Sequence, residues 1–151
     1  MKSLFCTAMM FGLLLASSLL ASDEKEKAIQ ADRKQIEGTW RIISLDVNGN
    51  KASEADAKKL IVVNGNDGTW KLSHDGKEIS RGTSTFDPLQ KPKTIDFTIT
   101  EGESKGQSLL GIYEFGGKTR KLCFAPPGKP RPTEFVSKAG SEHALVIFEK
   151  Q

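Results

Sequence analysis

The sequence predicts an all-β protein: a small antiparallel up-and-down β-barrel of eight to nine strands, with an N-terminal signal peptide. After Gly38, short segments rich in β-branched and aromatic residues recur at roughly 8–12-residue spacing. Most of them are separated by hairpin-type turns, so neighbours in sequence should pair antiparallel. A meander of this length must hide its two edge strands, and closure into a barrel removes both edges. A two-sheet sandwich would need longer crossover connections than the sequence provides.

Length and composition narrow the class of protein. The chain has 151 residues, 37% of them apolar and 27% charged, which is typical of one globular domain. This mixture excludes wholesale disorder and a polytopic membrane protein. The net charge of +3 is too small to indicate a nucleic-acid-binding domain, which usually carries a basic stripe.

Residues 1–22 are predicted to be a secretory signal. Lys2 is their only charge, Leu4–Ala16 is an apolar centre, and small residues follow it. We expect cleavage after Ala21 or Ser22, and export to the periplasm, cell envelope or medium. An uncleaved membrane anchor is the alternative. Cleavage would leave no stable membrane span.

Two different parts follow the signal. Residues 23–37 alternate acidic and basic side chains and are predicted to form a charged linker or helix, whereas residues 38–151 form the barrel domain. Cys123 is the one cysteine left after cleavage, so an intramolecular disulfide is excluded. Within a strand pattern such a residue is expected to serve as a small packing side chain.

Turn signals bound the predicted strands. Asn48-Gly49 and Asp75-Gly76 suit the positive φ angles of two-residue hairpins, and Gly116-Gly117 is a further turn of this kind. Prolines in 87–92 and 126–132 interrupt the pattern, because proline cannot donate to a strand ladder. The predicted strands are 39–47, 60–63, 69–74, 77–86, 94–100, 108–115, 118–125, 134–138 and 144–150.

One short helix is predicted between the first two strands. Ser53 can cap it, Asp56 stands three residues later as in a capping box, and the sequence to Lys59 favours helix. In a barrel this helix would lie at one end, as a plug or lid.

The interior of the barrel is either open or filled. Ile95, Phe97 and Ile99 alternate with polar residues and should face inward. Trp40, Trp70, Phe97 and Phe124 can line a cavity or fill it, since both occur in small barrels. A continuous apolar cavity above about 300 Å³ would favour ligand binding.

Catalytic and metal-binding patterns are not found in the sequence. It contains no nucleophile elbow and no phosphate-binding loop, and Glu101 and Glu103 are typical of a solvated loop. Two histidines and one mature cysteine do not make a zinc site unaided. We therefore predict no enzyme activity, no cofactor and no metal site.

The loop Gly128–Pro132 is the candidate ligand contact. Its prolines stiffen it, and it presents Lys129 and Arg131, which can bind a carboxylate, a phosphate or an acidic partner. A purely structural turn is the alternative.

Two features of the sequence carry a family resemblance. Gly38-Thr39-Trp40 looks like the Gly-x-Trp start of lipocalin-type barrels, which implies structural roles for Gly38 and Trp40. Three longer segments are PKTIDFT at 92–98, LGIY at 110–113 and CFAPPGKPRPTEF at 123–135. These segments resemble a family of exported planctomycete proteins with a lipocalin-like domain of uncharacterised function. The resemblance implies a barrel and export, and it brings no catalytic residues.

Two functions from different classes follow as expectations. The first is an exported, non-catalytic module that binds a small hydrophobic or amphipathic ligand in its barrel. The second is an interaction or structural protein of the cell envelope, with a filled barrel and loop-mediated contacts to an envelope protein. Neither involves nucleic acid.

Overall fold

A single sheet of nine antiparallel strands closes into a barrel in the computed structural model, which describes residues 13–151. Eight strands form the barrel, because β1 pairs with both β3 and β9, and the two-residue β2 is added beside β1. The predicted all-β class and the closed antiparallel barrel are confirmed. The elements are α1 Leu13–Ile36, β1 Gly38–Val47, β2 Asn50–Lys51, α2 Glu54–Ala57, β3 Leu60–Asn64, β4 Thr69–His74, β5 Lys77–Asp87, β6 Lys93–Gly102, β7 Ser108–Gly116, β8 Thr119–Phe124 and β9 Ala144–Lys150.

Two hairpin turns have the backbone that their sequences predict. Asn48 and Gly49 have φ angles of 53° and 77°, and Asp75 and Gly76 have 50° and 79°. Positive φ at both central residues is the condition for the tight turn that matches the twist of paired strands. These local signals therefore define where β1 and β4 end.

Helix α1 covers one end of the barrel, and its last turn is bonded to the strands. The carbonyl oxygen of Ile36 accepts a 2.6 Å hydrogen bond from Trp40 Nε1, and the carbonyl of Gln35 accepts one of 3.1 Å from Lys150 Nζ. These donors satisfy carbonyl groups that a helix end leaves without partners. Ile36 and Trp40 are both buried, so this end is closed.

A buried polar cluster attaches the same helix to β6 and β7. Asp32 of α1 is buried and accepts hydrogen bonds from Lys93 Nζ at 2.8 Å and from the Tyr113 hydroxyl at 2.6 Å. Burial and the neighbouring Asp32 carboxylate raise the pKa of Tyr113 well above its ordinary value. Tyr113 is therefore a neutral donor, and the pair with Lys93 compensates the buried carboxylate.

The N-terminal part of α1 belongs to the predicted signal, whose first 12 residues lie outside the described part of the chain. Of residues 23–37, predicted as a charged linker or helix, 23–36 are helical. Within residues 13–151, none of the helices combines the length and apolar character needed to cross a membrane.

The segment 134–138 is not a strand, in contrast to the sequence pattern. It belongs to an irregular segment, 125–143, that reaches the turn after β1: Gly49 N donates to Ser137 Oγ, and Gly140 N donates to Asn48 Oδ1. Every position in the barrel ladder is already taken, because β9 pairs with β8 and β1. Beneath the segment, Cys123 is fully buried, with its thiol 3.5 Å from the carbonyl oxygen of Val136.

Helix α2 follows its capping signal. Ser53 Oγ accepts a hydrogen bond from Asp56 N and donates one to the Asp56 carboxylate. Ala57 is buried and joins the core, and α2 packs on β1. The helix lies between the first two barrel strands, β1 and β3, as predicted.

Candidate ligand-binding cavity

The barrel encloses a cavity of about 260 Å³. Apart from Asn64, Ser80 and Arg120, its described lining is apolar. The end beneath α1 is closed, whereas Leu45, Leu60 and Leu72 near the other end are only half-buried. The apolar lining is therefore less covered away from α1 than beneath it. The interior is not filled by side chains, but its volume is slightly below the roughly 300 Å³ expected to favour ligand binding.

Strand alternation creates the apolar wall. Ile95, Phe97 and Ile99 of β6 all line the cavity, as their spacing predicts. Trp70 and Phe124 line it as well, so three of the four aromatic residues that the sequence singled out face the lumen.

The fourth aromatic residue, Trp40, does not line the cavity itself, but it contacts Arg120, a cation that does. The Arg120 guanidinium carbon lies 4.7 Å from the centre of the Trp40 ring and 4.4 Å from the centre of the Phe148 ring. Arg120 comes from β8 and is directly opposite Phe148 of β9 in the register. Closure of β9 onto β1 brings Trp40 to the same place. The cation is held between two aromatic rings in the cavity wall.

Arg120 lacks an anionic partner in the described part of the chain. Arg120 is 4% exposed, and its Nε–H group has no hydrogen-bond acceptor. Burial alone lowers the pKa of the guanidinium to about 9, with no carboxylate acting against it. The group is still cationic at neutral pH. The aromatic faces contribute about 2 kcal/mol at a desolvated site, less than the several kcal/mol that burial of an unpaired ion costs.

A second donor without an acceptor belongs to another residue of the cavity lining. Asn64, at the end of β3, is buried, and its Nδ2 has no hydrogen-bond partner. Ser80 differs, because its hydroxyl donates to the carbonyl oxygen of Glu101. Arg120 and Asn64 thus each bury an N–H group without an acceptor, and Arg120 adds a positive charge to a lining that is otherwise apolar. Such a site favours a molecule with one oxygen-rich end and one apolar end.

The two basic residues predicted as ligand contacts lie outside this cavity. Lys129 is exposed, and its Nζ is 3.9 Å from the Glu142 carboxylate. Arg131 donates to the carbonyl oxygens of Ile95 and Gly111 at 3.1 and 2.7 Å, and it forms a 2.6 Å ion pair with Asp96. These bonds attach the proline-rich loop to the barrel wall. The loop does not bring Arg131 together with Arg120 in the lining.

Gly38 and Trp40 lie at the junction between α1 and the barrel. Gly38 has a φ angle of 113°, which a residue with a side chain rarely adopts. This backbone turns the chain from the helix end into β1. Trp40 is 1% exposed, with its indole N–H bonded to the helix end and its ring against Arg120.

Arg120 was not singled out from the sequence, although a signal exists. In β8, Arg120, Leu122 and Phe124 alternate with Lys121 and Cys123, and the apolar members of the first set face the lumen. A cation in register with inward apolar residues is the sign of a polar group in a barrel interior. Its two aromatic neighbours come from β1 and β9, which local spacing does not connect.

Comparisons with known proteins leave the family open, since the chain matches no family model and no curated protein.

Proposed function

We propose that this protein is a non-catalytic binding protein that holds a small amphipathic molecule with an acidic head group inside its barrel. One observation carries the proposal: the buried Arg120 cation has no anionic partner and lines an otherwise apolar cavity. An acidic ligand would supply the missing counter-ion, and its apolar part would be buried against the wall. Lipocalin-like binding of this kind is in keeping with the barrel and with the resemblance at Gly38-Thr39-Trp40.

The open interior supports this proposal over a filled barrel that acts through its loops. The cavity volume of about 260 Å³ is slightly below the roughly 300 Å³ at which the usual range of small-molecule pockets begins. The ligand is thus small, and medium-chain acids are suitable probes of the cavity. We also propose that residues 1–22 direct export, so the ligand would be met outside the cytoplasm.

Replacing the buried cation tests the proposal. Nonanoate, measured by isothermal titration calorimetry, should bind the Arg120→Met variant at least about tenfold more weakly than the unchanged protein. The physical reason is the loss of a charge-assisted contact, which contributes roughly 1.5–3 kcal/mol. Nonanamide, which has no charge, should bind both proteins with similar affinity.

Lys129→Ala is the matched control, because Lys129 is a basic residue exposed outside the cavity. We expect this variant to bind nonanoate like the unchanged protein. Arg120→Met should stay folded, since removal of an unpaired buried charge by an apolar side chain is often neutral or stabilising. Equal affinities of the unchanged protein for nonanoate and nonanamide would overturn the proposal without reference to any variant.

A further inference from the structure

Three aromatic rings form a continuous strip on the cavity wall. Trp70 of β4 meets Phe97 of β6 edge-to-face, with ring centres 6.3 Å apart, and Phe97 meets Phe124 of β8 in the same way at 6.0 Å. All three side chains line the cavity and are only half-buried. Part of each ring is therefore open to an occupant of the lumen.

Glycines on the intervening strands make room for this strip. Gly82 of β5 is directly opposite Trp70, and a Cβ atom there would lie 2.7 Å from the indole ring. Gly111 of β7 is opposite Phe124, and its Cβ would lie 3.0 Å from the Cβ of that phenylalanine. Aromatic residues on β4, β6 and β8 thus alternate with glycines on β5 and β7. These glycines leave room for the rings of Trp70 and Phe124, whereas Phe97 is opposite Ser84 and Leu109 in the register.

We infer that the apolar part of the ligand is an aromatic ring, so that the ligand class is a small aryl carboxylate. The inference rests on the proposed function, which assigns the acidic head group to Arg120. Aromatic groups favour edge-to-face and offset contacts with ring centres 4.5–7 Å apart. A ligand ring against the strip gains such contacts, whereas an alkyl chain does not. A rigid aryl acid also loses fewer rotatable bonds when it is immobilised.

Two acids with the same numbers of carbons and oxygens test the inference. Phenylpropanoate and nonanoate both carry one carboxylate, so they differ in the apolar part that would contact the strip. Nonanoate has the larger apolar surface, so burial of area alone would make it the tighter ligand. We expect phenylpropanoate to bind about three- to tenfold more tightly, as measured by isothermal titration calorimetry.

Phe97→Leu removes the central ring of the strip and keeps an apolar side chain of similar size. This variant should lose the preference for phenylpropanoate over nonanoate. Leu109→Ile is the matched control, because Leu109 is opposite Phe97 in the register and lines the same cavity without a ring. It should keep the preference. In the unchanged protein, nuclear Overhauser contacts should connect the bound ligand ring to Trp70, Phe97 and Phe124.

The outcomes separate the two proposals. Equal affinities for the two acids, or tighter binding of nonanoate, would overturn the aryl inference and leave the proposed function standing. Binding of neither acid would overturn the proposed function and the inference with it. A preference for phenylpropanoate that survives in Phe97→Leu, without ligand contacts to the three rings, would show that the strip does not select the ligand.

Discussion

At the scale of single residues, Trp40 has several roles that are difficult for another side chain to combine. It donates its indole N–H to the end of α1, stacks on the Arg120 cation, and has Lys150 Nζ 5.4 Å from its ring centre. The residue is 1% exposed. A single side chain therefore connects the helix, the closed end and the cavity wall.

Truncation of this residue should be costly. We expect Trp40→Ala to lower the free energy of unfolding by about 3–5 kcal/mol, the range for removal of a large buried aromatic side chain. Urea denaturation measures this change. Lys118→Ala is the control, because Lys118 is exposed beside a hairpin turn, and it should stay within about 0.5 kcal/mol of the unchanged protein. Equal denaturation midpoints for the two variants would contradict the structural role of Trp40.

At the scale of elements, Asn48 attaches the irregular segment 125–143 to the barrel. Its side-chain oxygen accepts hydrogen bonds from Gly140 N at 2.7 Å and from Glu142 N at 3.0 Å. The segment covers the outer face of β8, where Cys123 is fully buried. Burial raises the pKa of the Cys123 thiol, so the reactive thiolate is disfavoured in the folded protein. Alkylation of this thiol therefore reports opening of the segment.

Asn48→Gly should increase the rate at which iodoacetamide alkylates Cys123. Glycine accepts the positive φ of this position, so the variant removes the two hydrogen bonds without backbone strain. Their loss should lower the free energy needed to open the segment by about 1–3 kcal/mol, which corresponds to a roughly fivefold to hundredfold faster alkylation. Mass spectrometry of the peptide that contains Cys123 measures the rate.

Asp75→Gly is a close control for this variant. Asp75 also precedes a glycine in a hairpin turn and has nearly the same φ angle, but its turn lies between β4 and β5. In the Asp75→Gly variant, Cys123 should be alkylated at the same rate as in the unchanged protein. If both variants react equally fast, Asn48 does not hold the segment in place.

The sequence predicts some features better than others. Features set by neighbours along the chain are predicted, whereas features set by contacts between distant strands are not. Asn48-Gly49 and Asp75-Gly76 define their turns through local backbone preference, and alternation alone orients Ile95, Phe97 and Ile99. The segment 134–138 has a strand-like sequence but remains irregular, because barrel closure leaves it no partner strand. Arg120 contacts Trp40 and Phe148 because closure of the barrel brings these two residues next to it. Such long-range neighbours are not encoded in local spacing.

At the scale of the whole molecule, the barrel and α1 form one unit. Asp32 is bonded to β6 and β7, Ile36 is buried in the core cluster, and Lys25 forms a 3.0 Å ion pair with Asp87 at the end of β5. These contacts are spread over the part of the helix that follows the predicted signal. The mature domain should accordingly begin near residue 22 or 23 and not at the first strand.

Two shortened chains test this boundary. A chain that begins at Ser22 keeps every one of these contacts, whereas a chain that begins at Glu37 uncovers Trp40 and Tyr113 at the closed end. The shorter chain loses the burial of Ile36, worth about 1.5–3 kcal/mol, and the hydrogen bonds to the helix end, each worth about 0.5–1.5 kcal/mol. We therefore expect it to be at least about 3 kcal/mol less stable in urea denaturation.

The intact mass of exported protein should likewise correspond to a start near Ser22 or Asp23. Equal stability of the two chains, or an exported form that begins beyond Ile36, would show that the barrel is complete without α1.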